Sequence, residues 1–403
     1  MHYIFLGNCQ LHALQDIFRR FIGRVEQATF QFVNAYEGVN QASFDLLTRA
    51  DVVVLQQGQR APGIDRRHIP DGVPIHLVPA VSGVFLWPFQ GVPHPLKPTE
   101  RYGNPPYPED YNDQFLAKLI LQDTPPERAL DIYRKFDVAG ETHVQRHYVH
   151  TLRAQRKLDE SCGFDCAGII EKYLQDEQLF QSPYHFSGRI ARHIAATLSR
   201  RLGFPETYAR RMENYLEDAP FLARFLPIHP SIAQHFGLRW VTPDTRYKFL
   251  FEGGYTFDEY VVRFMKGTWS ASLQEGVIDA QRGKPEAKSK LIIGLQEAPR
   301  SALGHQALST ILSREGDFEA ALFHQRRAFE LGPELSIALR LGGLLQLAGD
   351  GQGAIEAFAA ATRLDPVDPT SWKALRDALT SAGRADEARS ADRKFREFSA
   401  KLM

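Results

Sequence analysis

An α/β domain built on a parallel sheet, followed by an all-α domain of repeated helix pairs, is what this sequence predicts. Three observations carry that reading. From residue 1 to about 80, short β-branched or aromatic runs alternate with stretches of helical periodicity. Beyond Asp110 the helical period dominates. Near the carboxyl end, glycines, alanines and prolines recur at offsets of 33 and 34 residues.

The chain of 403 residues is longer than one typical domain, and 43% hydrophobic content suffices for two buried cores. Lys+Arg and Asp+Glu are both 48, so no global field draws the protein to nucleic acid or anionic lipid, and an anion site must be a local cluster. An odd set of three cysteines, Cys9, Cys162 and Cys166, argues against a disulfide framework and for a reducing compartment. The opening apolar run stops at Gly7 without a basic flank, and no stretch reaches the roughly 18 apolar residues of a membrane span. The expectation is a soluble cytoplasmic protein.

Tyr3 to Leu6 reads as a buried parallel strand, and Leu11, Leu14, Ile17, Phe18 and Phe21 then recur at helical spacing, so Gly7-Asn8-Cys9-Gln10 is a strand-to-helix turn. In an open α/β sheet such a turn lies at the carboxyl edge, where ligands bind, and its helix N-terminus lowers a thiol's pKa. Cys9 is thereby a candidate nucleophile. Thr29 to Val33 is a second strand, Gln41 to Arg49 a short helix, and Asp51 to Gln57 the clearest β signal in the chain. If strands one and three are parallel neighbours, Gln56, Gln57 and the Gly58 amide share an edge with Cys9. Pro74 to Val78 is a fourth strand.

Pro79 to Pro108 is dense in proline and glycine yet carries Phe85, Trp87, Phe89, Tyr102 and Tyr107, which suits an ordered loop over a site better than a linker. Helices are expected over Asp110 to Gln122, Pro126 to Phe136 and Glu141 to Leu158. The last of these places His143, His147 and His150 on one face with Arg146 and Arg153 nearby. Without a further ligand or a water-activating carboxylate, that face suits phosphates better than a metal, and no metal is expected. Cys166 to Leu174 is amphipathic, Leu179-Phe180 a short buried strand, and Gln181 to Ser187 a loop before a helix from Gly188 to Arg201. His185 on that loop is the favoured general base; His229, in His229-Pro230-Ser231, is the competitor.

Gly7-Asn8-Cys9-Gln10 directly after the first strand resembles the opening signature of the WcbI-type acetyltransferase family of polysaccharide biosynthesis. It is also similar to the first block of SGNH hydrolases, with Asn8 for the Asp and Cys9 for the Ser. The loop before Gly188 resembles their last block, except that Ser182 stands where a hydrolase has Asp and Phe186 follows the histidine. Pro88 to Pro95, with His94, resembles the family's aromatic segment after the fourth strand. The resemblance covers roughly the first half of the chain. It implies an SGNH-like domain that transfers an acyl group, acetyl above all, from coenzyme A or acetyl-CoA to a sugar hydroxyl of a polysaccharide precursor. Cys9 would take the acyl group or polarise the site, His185 would act as base, and Asn8, Gln56 and the Cys9 N–H would meet the oxyanion. Gly7, Gln10, Gln57, His94, Arg146, Arg153 and Arg189 are the candidate donor contacts. An esterase with water as acceptor, and a non-enzymatic CoA or nucleotide sensor, are the alternatives.

The repeats are carried by Gly316, Ala321, Ala328 and Pro333, then Gly349, Ala354, Ala361 and Pro366, then Gly383 and Ala388. Leu308, Leu341 and Leu375 hold the matching first-helix position, and Gly283 and Pro299 mark a degenerate earlier copy. These resemble tetratricopeptide repeats, which implies recruitment of a protein partner or self-association. The expected domains are 1–268, with a sheet core over 1–203 and a helical extension over 204–268, and 269–403.

Overall fold

The computed structural model describes residues 1–23, 28–35, 40–58, 66–92, 94–96, 112–215, 226–248, 251–267 and 270–400. Tyr102 and Tyr107 of the aromatic loop, the start of the helix expected at Asp110, and Phe249-Leu250 lie outside them. The chain divides into two compact units, Met1–Tyr247 with Thr256–Gly267, and Lys248–Tyr255 with Thr268–Met403.

The first unit begins β1 (His2–Gly7), α1 (Cys9–Phe21), β2 (Thr29–Asn34), α2 (Gln41–Thr48), β3 (Val52–Gln57) and β4 (Ile75–Pro79). The four strands form one parallel sheet in the order β2-β1-β3-β4. Residues 3 to 6 of β1 are buried on both faces, the pattern of a parallel strand covered above and below. On one face Tyr3 and Phe5 join Phe18, Phe30 and Phe204 in a cluster of ring contacts. On the other, Ile4 and Leu6 pack with Val33, Leu47, Val53, Leu55 and Ile69. Leu6 pairs with Leu55, so strands one and three are neighbours and their ends share the carboxyl edge.

Two short strands, β5 (Gln90–Val92) and β6 (Asn112–Asp113), pair antiparallel. The helices α3 (Gln114–Leu121), α4 (Pro126–Lys135), α5 (Val138–Glu141), α6 (Val144–Cys162) and α7 (Cys166–Tyr173) follow. The long helix expected to run from Glu141 starts instead at Val144. Asp137 caps the Gly140 N–H of a separate turn, and His143, at φ 49°, reverses the chain between the two. It ends beyond Leu158, at the left-handed Gly163.

The strand expected at Leu179-Phe180 is displaced to β7 (Phe180–Ser182). It pairs antiparallel with β8 (His185–Phe186) as a hairpin outside the main sheet. The helices α8 (Gly188–Arg201), α9 (Glu206–Tyr215), α10 (Pro230–Phe236) and α11 (Phe257–Lys266) complete this unit.

The second unit is a row of hairpins: α12 (Ala271–Gln281) with α13 (Ala287–Glu297), α14 (Ala302–Arg314) with α15 (Phe318–Leu331), α16 (Leu335–Leu347) with α17 (Gly351–Leu364), and α18 (Pro369–Ser381) with α19 (Ala385–Ala400). Gly283, Gly316, Gly349 and Gly383 occupy the same turn in each, all at φ between 69° and 85°, a conformation that costs other residues energy. Ala321, Ala328, Ala354 and Ala361 are fully buried where paired helices approach. The expected degenerate copy is the hairpin of α12 and α13. The 248–255 excursion belongs here because Glu252 accepts the Ser270 N–H and the Ser301 hydroxyl donates to the Phe251 carbonyl.

Candidate active site

At the end of β1 the chain must turn beside β3, and only glycine fits. A Cβ on Gly7 would stand 2.7 Å from Gln56 Oε1 and 2.9 Å from Leu11 Cγ. Asn8 then caps α1, its Oδ1 accepting the Gln10 N–H at 2.8 Å, while its own N–H donates to Gln56 Oε1 at 3.0 Å. Cys9 is the first residue of the helix and keeps part of its surface accessible.

The hairpin of β7 and β8 comes to this edge from 176 residues away and sets His185 Nε2 3.3 Å from Cys9 Sγ. Gly83 helps to seat it: its N–H donates to the Pro183 carbonyl at 2.8 Å, and the Phe180 ring covers it so closely that a Cβ there would lie 2.5 Å from the ring. Ser182 Oγ stands 2.9 Å from His185 Nδ1, in the place of a hydrolase's carboxylate. With Nδ1–H donated to Ser182, Nε2 turns its lone pair to the Cys9 thiol.

The electrostatics differ from expectation. Desolvation by burial pushes the Cys9 thiol up to about 12, against the lowering effect of the Gln10 and Cys9 N–H groups, so the helix N-terminus does not win. The same burial drives the His185 imidazole down to about 4, rather than leaving it near neutrality. The resting pair is a neutral thiol beside a neutral imidazole.

Other candidates find different surroundings. His229 is buried, caps α10, and has both ring nitrogens engaged, Nε2 with the Tyr133 carbonyl at 2.7 Å and Nδ1 with Ser231. His94 is also buried, Nε2 donating to the Phe264 carbonyl at 2.8 Å and Nδ1 accepting the Leu96 N–H, so its ring is a structural link and not a donor contact. Arg189 forms a forked pair with Glu177 and stacks 3.9 Å over Tyr173, which turns its charge to a carboxylate instead of a phosphate.

Gln10 spends its whole amide on Val81, Tyr184 and Gln56, so it is no spare ligand donor, whereas Gln56 gives Oε1 to the Asn8 N–H and one Nε2 hydrogen to Gln10. Gln57 is half-buried at the end of β3. Arg146 and Arg153 are exposed on α6 and line an open cavity of about 940 Å³ with His143, His150 and His235, and among the described residues no carboxylate lines it. Val81 and Gly83, which hold the site from the loop after β4, carry no chemistry-bearing side chain and escaped the sequence reading; a glycine just past a strand end is the one signal they offer. Among the described residues no group of three His, Cys, Asp or Glu is arranged for a metal, and no helix is long and apolar enough to cross a membrane.

A parallel α/β sheet that brings a cysteine and a histidine together at its carboxyl edge defines a class of protein with the apparatus for thiol–imidazole chemistry. The family model described as polysaccharide biosynthesis enzyme WcbI matches residues 2–207, just over half of the chain, and the chain belongs to that family. Among solved structures, WcbI, described as a novel polysaccharide biosynthesis enzyme and here the native protein without a disulfide between CoA and a cysteine, has the same fold. It aligns at TM-score 0.50 and 17% identity, over 81% of this chain and 99% of that one. Two crystal structures of MamA align with 32% and 35% of this chain and 77% and 79% of theirs, at TM-scores of 0.30 and 0.31 and identities of 23% and 21%. No curated protein matches by sequence.

Proposed function

We propose that this protein transfers an acyl group, acetyl in the simplest case, from acyl-CoA to a hydroxyl of a sugar or polysaccharide precursor. The observation that carries the reading is the 3.3 Å approach of Cys9 Sγ to His185 Nε2 at the sheet's carboxyl edge. A thiol of such high pKa is a poor standing nucleophile, so the proton must leave as the bond forms. Cys9 Sγ attacks the donor thioester carbonyl while His185 Nε2 takes the thiol proton and then delivers it to the departing CoA sulfur. In the second half His185 removes the proton of the sugar hydroxyl, whose oxygen attacks the Cys9 thioester, and returns it to the Cys9 sulfur. Asn8 spends Oδ1 on the helix cap, which leaves its Nδ2 with the Cys9 N–H to meet the developing oxyanion.

The donor's phosphates fit the α6 cavity, whose lining carries the guanidinium groups of Arg146 and Arg153 beside the imidazoles of His143 and His150, with no carboxylate among the described lining residues. Leu158 of the same helix packs on Gly58, beside the Cys9 turn, and Arg153 lies five residues before it, ~7.5 Å along the axis. A pantetheine arm, as long as about four extended residues or ~15 Å, covers a separation of that order. The repeat unit serves as the module that recruits a protein partner or a second copy of the chain.

Intact-mass measurement after mixing with acetyl-CoA tests the chemistry: an acetyl adduct on Cys9, discharged by an acceptor sugar, is the expected result. Discharge by water alone would make the protein an esterase, and CoA binding with no adduct and no turnover would make it a sensor.

A further inference from the structure

We propose that Gln10 is a positioning residue which sets the contact between Cys9 and His185; this rests on the reading above that the pair performs the acyl chemistry. Gln10 follows Cys9 directly, and its side chain is 1% exposed. Its Nε2 donates to the carbonyls of Val81 and Tyr184, both at 2.7 Å, and its Oε1 accepts from the Val81 N–H and from Gln56 Nε2, both at 3.1 Å. A primary amide has two N–H bonds and two lone pairs, and here all four are used.

The partners are what give this arrangement meaning. Tyr184 directly precedes His185, so one side chain ties the residue beside the nucleophile to the residue beside the base. Gln56, the other partner, also accepts the Asn8 N–H, which fixes the turn on the opposite side of Cys9. Val81 anchors the same amide to the loop after β4, the loop whose Gly83 holds Pro183. Three separate segments are thus keyed to one rigid, buried group at the point where thiol and imidazole must meet. The Gly83–Pro183 bond and the burial of Phe180 are independent of Gln10, so its loss slackens the hairpin around His185 without releasing it. A misplacement of about 1 Å between reacting groups can cost ~100-fold in rate.

The test compares Gln10→Met, close in shape but without the four hydrogen bonds, with His185→Ala and with the double variant, each checked for folding by circular dichroism. The expected result is a fall of about 100-fold in kcat for acyl transfer in Gln10→Met with KM for acyl-CoA unchanged, and no additional loss when Gln10→Met is added to His185→Ala, because Gln10 acts through the base. A purely structural role would lower the melting temperature while leaving kcat per folded molecule at the wild-type value, and would overturn the proposal. So would losses that multiply in the double variant. Should Gln10→Met not fold, Gln10→Asn, which keeps an amide but cannot span Val81 and Tyr184 together, is read by the same criteria. If Cys9→Ala and His185→Ala retain wild-type turnover, the acyl-transfer reading itself has failed, an outcome distinct from a silent Gln10.

Discussion

The neutral state of the Cys9–His185 pair makes a quantitative prediction about thiol reactivity. With the thiol pushed up to about 12, the thiolate fraction at pH 8 is about 10⁻⁴, against about a quarter for an unperturbed cysteine of pKa about 8.5. Cys9 should therefore react with iodoacetamide about 10³-fold more slowly than a cysteine in an unfolded peptide at that pH, and its rate should climb about tenfold per unit between pH 7 and 10. Cys162 and Cys166 are buried, with their own thiols pushed up by burial, so they should be labelled more slowly still. Peptide mapping by mass spectrometry over a time course resolves all three sites. Saturating CoA should protect Cys9 and leave the other two unchanged. A Cys9 rate that levels off below pH 8 at or above the free-peptide value would show a standing thiolate–imidazolium pair and refute the desolvation argument. Equal labelling of the three cysteines, with no protection by CoA, would remove Cys9 from the site.

Acid stability carries the signature of His185. Its folded pKa, about 4, lies below the ordinary value near 6.5, so the unfolded chain binds the extra proton first and stability falls as pH drops from about 6.5 towards 4. Urea melts across that window should show a slope that His185→Ala reduces. Arg146→Gln and Arg153→Gln should each weaken CoA binding several-fold by calorimetry, most at low salt, with kcat little changed; no effect at either position would move the phosphates elsewhere. Gly349→Ala places a side chain at φ 78° and should destabilise the repeat unit by ~1–2 kcal/mol in denaturant melts, while Cys9 reactivity stays at the wild-type rate.

The local features of this chain were legible because each is decided within a few residues. Strand alternation, the glycine-led turn before Cys9 and the 33-to-34-residue spacing of Gly283, Gly316, Gly349 and Gly383 are consequences of backbone sterics and side-chain period, and the structure places all of them. The order of the strands decided which ends share an edge, and so brought Gln56 to the Cys9 turn. The separation of 176 residues between Cys9 and His185 was closed by a hairpin, seated on Gly83, that no periodicity announces. Polar residues were the hardest to assign from sequence, since an amide, imidazole or guanidinium takes its role from whatever partner the fold supplies. Gln10 found backbone, His94 a carbonyl, and Arg189 a carboxylate. Charge state belongs wholly to tertiary structure for the same reason. The helix N-terminus that would lower a thiol's pKa is written in the sequence around Cys9, but the desolvation that outweighs it is the sum of every segment packed over the site.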